Sequence, residues 1–329
     1  MKGILLVIKL KEIYINMFTP IVKSKMNFNN VDLYYKRDDL LPFSFGGNKV
    51  RIAIEFFKDM KQKGNDCIIG YGNARSNLCR VLSNMACSEN IPCIIVSPSD
   101  DDGTVVKTNN SLLTSLCGAE IVQCNKNNVS LTVQSVINKC IQQGFSPYYM
   151  YGNKYGNGNK KTPVKAYCIG YKEIISQARD MNIKFDYIFV ATGTGMTHAG
   201  LLAGKYESNS PERIVGMSVA RPENVCRDKI DDYLKSYFLN RKDFNSDFLN
   251  EIIVSDKCLC GGYGKFDEEI VNTISGVYRI DGIPLDTTYT GKAFCGMKKY
   301  IHDNNISGNV LFVHTGGTPL FFDDFATLN

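Results

Sequence analysis

A lysine that follows two glycines, Lys49 in the stretch PFSFGGNKVRIAIEFF, is the residue whose position most clearly suggests chemistry. Apolar residues recur at helical spacing from Val50 to Met60, so the sequence predicts a helix that begins at Lys49 with Asn48 as its N-cap. The N-terminus of a helix carries partial positive charge and disfavours an ammonium group. An amine held there would have a lowered pKa and could act as a base or as a nucleophile toward a carbonyl. The ordinary alternative is a solvated lysine.

A second candidate site is the glycine- and threonine-rich stretch ATGTGMTHAG, which follows the apolar run YIFVAT. A loop between a predicted strand and a predicted helix exposes backbone N–H groups, which suits a phosphate. Gly193 and Gly195 fit the first two glycines of a dinucleotide-binding motif, but His198 stands where the third is expected. The ribose-binding acid of that motif is also missing. We therefore expect a phosphate site of another kind and exclude a nucleotide-dependent oxidoreductase.

Three further loops carry polar side chains near the ends of predicted elements. Ser76 and Asn77 follow the run CIIGY, and Thr315 follows VLFVH. Tyr263 and Tyr289 lie in glycine-flanked turns that precede predicted helices. Taken singly, such residues are most often helix caps and partly buried tyrosines. Ligands of parallel α/β folds bind beyond the carboxyl ends of the strands, so we expect these loops to face one cleft.

The composition excludes several classes of protein. With 329 residues, 44% of them hydrophobic and 22% charged, the chain has an ordinary globular balance. The net charge of +5 comes without a lysine- or arginine-rich block, which argues against nucleic-acid binding. The twelve cysteines form no CxxC pair and only three histidines are present, which argues against a zinc site. Scattered cysteines inside apolar runs favour a reducing compartment.

The N-terminal stretch MKGILLVIKLKEIYINM could be mistaken for a signal peptide. Its apolar core, residues 3–8, is too short and is followed by Lys9 and Lys11. Met17 is an alternative start. No other segment reaches the length of a membrane span, so we expect a soluble, cytoplasmic protein with no membrane partner.

Short β-branched runs alternate with helical patterns along the chain, which predicts an α/β fold with parallel sheets and helices on both faces. The length suits two domains that share a cleft. The predicted strands are VDLYYKR, CIIGY, CIIVS, AEIVQC, YIFVAT, IVGMSV and VLFVHT. The predicted helices lie near residues 49–63, 75–88, 109–117, 129–143, 164–181, 197–206, 223–240, 266–279 and 291–303.

Several motifs share the order in which one enzyme family carries them: KRDDLLPFSFGGNKVR, SNLCRVLSNMA, TGTGMTHAGL, GGYG, TTYTGKAFCGM and VLFVHTGGTP. The chain thus resembles the fold-type-II pyridoxal-phosphate enzymes, and within them the 1-aminocyclopropane-1-carboxylate deaminase/D-cysteine desulfhydrase family. The resemblance implies a tryptophan synthase β-like fold of two parallel-sheet domains, pyridoxal 5′-phosphate as cofactor, and a homodimer. We expect a large cofactor-binding domain of residues 1–50 and 165–329 and a small α/β domain of residues 51–164.

The resemblance also implies roles for individual residues. Lys49 would be the Schiff-base lysine, freed as a base once the amine of the substrate displaces it. Tyr263 and Tyr289 would be catalytic residues that flank the substrate. Ser76, also catalytic, and Asn77 would lie beside the cofactor ring and the substrate carboxylate. The other cofactor contacts would be Thr194, Gly195, Met196 and Thr197 around the phosphate, and Thr315 at the pyridine nitrogen.

Two positions bear on the substrate. Thr290 and Thr315 match the desulfhydrase branch, whereas deaminases that open the cyclopropane ring carry an acid and an aliphatic residue there. We therefore expect a lyase that carries out β-elimination from an amino acid such as D-cysteine, which gives sulfide, pyruvate and ammonia. Arg75 stands where glutamine is common in relatives, so it could bind an extra anionic group of cysteate, or simply be a solvated helix residue. A cyclopropane deaminase and a catalytically silent pyridoxal-phosphate-binding protein stay open as further hypotheses.

Overall fold

A computed structural model describes residues 17–28, 30–99 and 103–325 of the chain. The apolar N-terminal stretch therefore lies, up to residue 16, outside the described residues. Within the described part, no helix combines the length and the apolar character needed to cross a membrane.

The described residues form ten strands in two sheets. The strands are β1 (Ile21–Lys23), β2 (Val31–Lys36), β3 (Cys67–Tyr71), β4 (Cys93–Pro98), β5 (Glu120–Cys124), β6 (Pro147–Tyr149), β7 (Tyr187–Thr192), β8 (Arg213–Ser218), β9 (Ile253–Ser255) and β10 (Gly308–Val313). The larger sheet has the order β1-β2-β10-β7-β8-β9 and the smaller sheet has the order β5-β4-β3-β6. Only the pairing of β1 with β2 is antiparallel among these strands. The prediction of an α/β fold with two parallel sheets is confirmed.

Helices connect most of the parallel strands. They are α1 (Asn48–Gln62), α2 (Asn77–Ser88), α3 (Asn109–Leu116), α4 (Val129–Gln142), α5 (Lys161–Asp180), α6 (Met196–Ser208), α7 (Glu223–Phe238), α8 (Glu268–Asp281), α9 (Thr290–Asp303) and α10 (Thr318–Phe325). Short 3₁₀ helices lie at Asp38–Leu40, Lys126–Asn128 and Ser246–Glu251. The predicted domain boundaries, after residues 50 and 164, fall inside helices α1 and α5. The division into a large and a small domain stays a prediction.

Two hydrophobic cores hold the elements together. One contains Ile68 of the small sheet and Ile188 of the large sheet, together with helices α1, α2, α5 and α6. The other covers the opposite face of the large sheet and includes Phe189, Phe294 and Phe312. Helices α5 and α6 approach closely because α6 carries glycine where it meets α5: a Cβ on Gly200 would lie 2.3 Å from that of Tyr167. The N-terminal end of α6 lies beside the start of α1, where the Asn48 side chain bonds Thr197.

The sequence patterns located the longer elements and missed the shortest ones. All the predicted helices and strands are present within a few residues of their expected bounds. The three-residue strands β1, β6 and β9 are too short to show a period of two, and α10 follows a stretch that reads as a glycine-rich loop.

Candidate active site

The carboxyl ends of strands from both sheets border one cavity of about 350 Å³. This is the size of a small-molecule site and agrees with the rule that such folds bind ligands at this edge. The structure brings most of the predicted residues to this cavity: Lys49, Ser76, Asn77, Thr194, Gly195, Thr197, Tyr263, Tyr289 and Thr315. Met196, Arg75 and Thr290 do not line it.

Lys49 lies in the first turn of α1, but the helix begins differently from the prediction. It starts at Asn48, and the N-cap is Gly47, which has φ 102° and makes no side-chain cap. Asn48 was expected to cap the helix; instead its side-chain amide donates to the Thr197 hydroxyl at 2.8 Å. The backbone N–H of Asn48 donates to the carbonyl of Thr315, at 3.0 Å.

The amine of Lys49 has an environment that favours its neutral form. Burial lowers its pKa from 10.5 to about 8. The side chain keeps some accessible surface because it lines the cavity. A lysine in this state can act as a nucleophile or a base near neutral pH.

A buried charge network supports the loop that leads to Lys49. Arg51 donates to Asp38 at 2.9 Å and to Glu173 at 2.7 Å, and Tyr167 donates to Asp38 at 2.5 Å. The backbone carbonyl of Asp38 accepts a hydrogen bond from the N–H of Gly47 at 2.9 Å. The network therefore anchors the backbone immediately before the lysine. Sequence reasoning missed it, although two acids shortly before a glycine pair and an arginine on a mostly apolar helix were a visible signal.

The loop after β10 packs directly against the lysine loop. A Cβ on Gly47 would lie 2.9 Å from the carbonyl oxygen of Thr315, so this contact requires glycine. The neighbouring His314 is fully buried. It accepts from the N–H of Gly316 at 3.1 Å, and its Nε2 donates to the Pro284 carbonyl at 2.8 Å. His314 is thus structural and helps to hold Thr315 at the cavity.

The glycine-rich loop ends β7 and opens α6. Gly195 is the N-cap of α6, with φ 89°, and the first N–H groups of a helix have no partner within the helix. Thr194, Gly195 and Thr197 line the cavity, so this end of it suits an anion. Met196 packs in the core, so only its backbone can contribute. Burial lowers the pKa of His198 to about 4, so its imidazole stays neutral.

Ser76 and Asn77 form the start of α2. The Ser76 hydroxyl caps the helix by accepting from the N–H of Cys79 at 3.2 Å. The side-chain oxygen of Asn77 accepts from the amide of Asn110 at 3.0 Å. Both side chains also line the cavity, so their capping and ligand-facing roles are compatible.

Tyr263 and Tyr289 meet at the cavity, where their hydroxyls lie 2.5 Å apart. Burial raises the pKa of both phenols, so they remain protonated at neutral pH. Asp286 fixes the second tyrosine by accepting from its backbone N–H at 2.8 Å. The Thr290 hydroxyl donates to the same carboxylate at 2.7 Å and is fully buried. The position of Thr290 therefore does not support the expectation that it contacts substrate. Its buried hydroxyl bonds Asp286 at the first turn of α9.

The cations at the cavity differ from the expected one. The Arg75 guanidinium packs against the loop of Tyr263, with its Nε 3.1 Å from where a Gly264 Cβ would be. Lys126 and Arg221 line the cavity instead, and Arg221 donates to the carbonyl of Gly193. Both follow strands of the two sheets. Other lining residues that sequence reasoning did not select also lie at or just after strand ends: Tyr71, Ser99, Tyr151 and Ala220. The strand-end rule, applied to every predicted strand, would have found all of these except Tyr151, which follows the unpredicted strand β6.

The residues around the cavity fit pyridoxal 5′-phosphate. The amine of Lys49, with its lowered pKa, can combine with an aldehyde, and the N-terminus of α6 can hold a phosphate. The neutral side chain of Thr315 is available to a ring nitrogen. These are the chemical requirements of an aromatic aldehyde that carries a phosphate.

Comparisons with known proteins agree with this fit. The pattern of the family described as pyridoxal-phosphate dependent enzyme matches residues 15–316. The chain is 30% identical over 298 residues to the D-cysteine desulfhydrase of Yersinia pestis, covering 88% of each chain. It is 28% identical over 299 residues to a provisionally named 1-aminocyclopropane-1-carboxylate deaminase of Pyrococcus abyssi, covering 89% of this chain and 86% of that protein. The crystal structure of an ACC deaminase homologue matches with a TM-score of 0.78 at 28% identity, covering 96% and 98% of the two chains.

The family pattern covers most of the chain, and two curated relatives and a solved structure that match along most of their length belong to the same group. The cavity has the chemistry that the cofactor of this group requires. The chain belongs to the fold-type-II pyridoxal-phosphate-dependent enzymes, in the 1-aminocyclopropane-1-carboxylate deaminase/D-cysteine desulfhydrase family.

Proposed function

We propose that the enzyme catalyses β-elimination from D-cysteine, with hydrogen sulfide, pyruvate and ammonia as the products. The observation that carries the proposal is that Lys49 and the Tyr263–Tyr289 pair line one cavity. The lysine supplies a base and the tyrosines supply a proton donor, which are the two groups that an elimination needs. The D-cysteine desulfhydrase of Yersinia pestis, similar along 88% of its length, supports the choice of substrate.

The chain's own residues would divide the work as follows. Thr194, Gly195 and Thr197, with the backbone of Met196, would hold the phosphate, and Thr315 would face the pyridine nitrogen. When bound, pyridoxal phosphate supplies an electron sink for the bond broken at Cα. Thr315 carries a neutral hydroxyl, so it would offer the ring nitrogen a hydrogen bond without a charge.

The proton steps belong to the side chains. The neutral amine of Lys49 accepts the proton from Cα of the substrate. The C–S bond breaks with its electron pair on sulfur, and the Tyr263–Tyr289 pair gives the departing sulfur a proton. Ser76 holds the substrate carboxylate during this sequence, and Asn77 lies beside it, where it can contact the carboxylate or the cofactor ring. Addition of water to the remaining three-carbon enamine then releases ammonia and pyruvate.

The test is an assay of the purified enzyme, loaded with pyridoxal phosphate, against five amino acids. D-Cysteine, L-cysteine, cysteate, D-serine and 1-aminocyclopropane-1-carboxylate are offered separately, and the keto acid and the sulfur product are measured. Pyruvate and sulfide from D-cysteine support the proposal. Turnover of the cyclopropane compound alone would overturn it in favour of a deaminase. Binding of the cofactor without turnover of any amino acid would favour a catalytically silent binding protein.

A second candidate is a sulfo-lyase that releases sulfite from cysteate. Arg221 and Lys126 line the cavity, and a cation there could recognise a sulfonate. The residue best placed to favour this substrate is therefore Arg221 rather than Arg75. If cysteate were preferred, Arg221→Gln should abolish the preference, and Arg75→Gln, outside the cavity, is the matched control.

The cellular setting is also part of the proposal. All twelve cysteines are free thiols, and Cys258 and Cys295 remain unlinked although their sulfur atoms lie 3.3 Å apart. This supports a reducing compartment such as the cytoplasm. The expected homodimer stays a prediction, which sedimentation of the purified enzyme would test.

A further inference from the structure

Behind the cavity wall, one arginine is buried without an acidic partner. Arg80 of α2 has 0% exposure, and its Nε and Nη1 atoms have no hydrogen-bond partner among the described residues. Burial lowers its pKa to about 10, and no carboxylate acts against that effect. Buried charges in proteins are normally paired, because an isolated ion in the interior is costly. The position therefore calls for a reason beyond packing.

The one nitrogen of Arg80 with hydrogen bonds joins two loops of the site. Its Nη2 donates to the carbonyl of Gly46 at 3.1 Å and to the side-chain oxygen of Asn77 at 3.3 Å. Gly46 belongs to the loop before Lys49, and Asn77 lines the cavity. A single guanidinium thus links the lysine loop to the start of α2.

These contacts decide which way the Asn77 amide points. A guanidinium can only donate, so the atom of Asn77 that faces Arg80 must be the oxygen. The amide of Asn110 donates to the same oxygen at 3.0 Å. The Asn77 nitrogen, the end that donates, is therefore left for the cavity.

We propose that Arg80 is a positioning residue that turns the N–H groups of Asn77 toward the cavity and holds a positive charge behind them, so that this wall favours an anionic oxygen. The inference rests on the proposed function, which supplies two candidates for that oxygen. One is the ionised ring hydroxyl of the cofactor, and the other is the carboxylate of the substrate. Both are anionic oxygens that accept from an amide, and the experiment separates them.

The experiment compares Arg80→Met, Arg80→Lys and the wild-type enzyme, each loaded with pyridoxal phosphate. The matched control is Ser83→Ala, which removes a buried hydroxyl of the same helix that donates within α2, to the Cys79 carbonyl at 2.8 Å. The visible absorbance of the bound cofactor is titrated with pH in the absence of amino acid, and KM and kcat for D-cysteine are then measured.

Removal of a nearby positive charge weakens the anionic form, so the pH midpoint of the absorbance change should rise by about one unit in Arg80→Met. Arg80→Lys should restore most of this shift, and Ser83→Ala should leave the midpoint unchanged. A shifted midpoint assigns the oxygen to the cofactor ring. An unchanged midpoint with KM raised about tenfold and kcat preserved assigns it to the substrate carboxylate.

The inference is overturned if midpoint and KM are both unchanged in a folded, cofactor-loaded Arg80→Met enzyme. If Arg80→Met does not fold, Arg80→Gln takes its place in the experiment, because glutamine is neutral but keeps an N–H donor. The other titratable groups that line the cavity, Lys49, Lys126, Arg221, His198 and the tyrosines, are the same in every variant. The absorbance arm needs no turnover, so an enzyme inactive toward D-cysteine would refute the proposed function without deciding the role of Arg80.

Discussion

The hydroxyl groups of Tyr263 and Tyr289 lie 2.5 Å apart although 26 residues separate them in the chain. Their rings meet edge to face, with centroids 5.8 Å apart. Tyr263 comes from the loop before α8, and Tyr289 precedes the first residue of α9, where Asp286 holds its backbone. Each hydroxyl is therefore held by a hydrogen bond to the other. The pair can act together as a single proton donor.

Tyr289→Phe should lower kcat/KM for the amino-acid substrate by on the order of 100-fold, because it removes a general acid. The cofactor should still bind, since the ring and its packing remain. Steady-state kinetics and the absorbance of the bound cofactor measure the two effects. Tyr278→Phe, at an exposed tyrosine of α8, is the control and should change neither. A Tyr289→Phe enzyme with normal kcat/KM would rule out a proton-donating role for this hydroxyl.

Because the two hydroxyls are hydrogen bonded, the double variant Tyr263→Phe/Tyr289→Phe should lose little more than the worse of the two single variants. Losses that multiply would instead mean that the tyrosines act independently, which the geometry does not predict. The same kinetic assay decides between these outcomes.

The capture of pyridoxal phosphate by the cofactor-free enzyme should become faster as pH rises, with a midpoint near the pKa of Lys49, about 8. The pKa of this amine is lowered by burial, so the reactive neutral form gains population through that pH, well below the ordinary value of 10.5. Stopped-flow absorbance after mixing with the cofactor follows the rate. Lys49→Ala should lose the pH-dependent phase; its persistence would place the reactive amine elsewhere.

Features that depend on residues close together in the chain could be predicted from the sequence, and features that depend on residues far apart in the chain could not. The spacing of apolar residues predicted the long elements because each pattern is local, and the strand-end rule led to Ser76, Asn77 and Thr315. The contacts that set the geometry are non-local. Arg80 meets the Gly46 carbonyl 34 residues away, and no local pattern announces that pairing.

The role of Asn48 is also set by non-local contacts. Its residue type favours a helix cap, and local propensity predicts that role. A contact with Thr315, far away in the chain, takes its backbone N–H, and its side chain bonds Thr197 instead. The family resemblance places Thr290 near the substrate, whereas its hydroxyl bonds the buried Asp286.

Gly47→Ala should disrupt the contact between the lysine loop and the Thr315 loop. The backbone at Gly47 has φ 102°, and an added Cβ would lie 2.9 Å from the Thr315 carbonyl. We expect the free energy of unfolding to fall by on the order of 3 kcal/mol and the affinity for pyridoxal phosphate to fall with it.

The control for backbone strain alone is Gly118→Ala, where φ is +73° and no atom lies within 4 Å of the added Cβ. It should cost about 1 kcal/mol and leave cofactor affinity unchanged. Chemical denaturation and titration with the cofactor give both quantities. Equal effects at the two glycines would show that the collision with Thr315 contributes nothing.

Arg51→Met should lower the free energy of unfolding by about 4 kcal/mol, because it leaves the buried carboxylates of Asp38 and Glu173 without their shared partner. The matched control is Arg241→Met, which breaks exposed ion pairs and should cost less than about 1 kcal/mol. Denaturant unfolding measures both values. Asp38 also holds the N–H of Gly47, so Arg51→Met should in addition weaken cofactor binding, whereas Arg241→Met should not. A stable Arg51→Met protein with normal cofactor affinity would show that the charge network does not anchor the lysine loop.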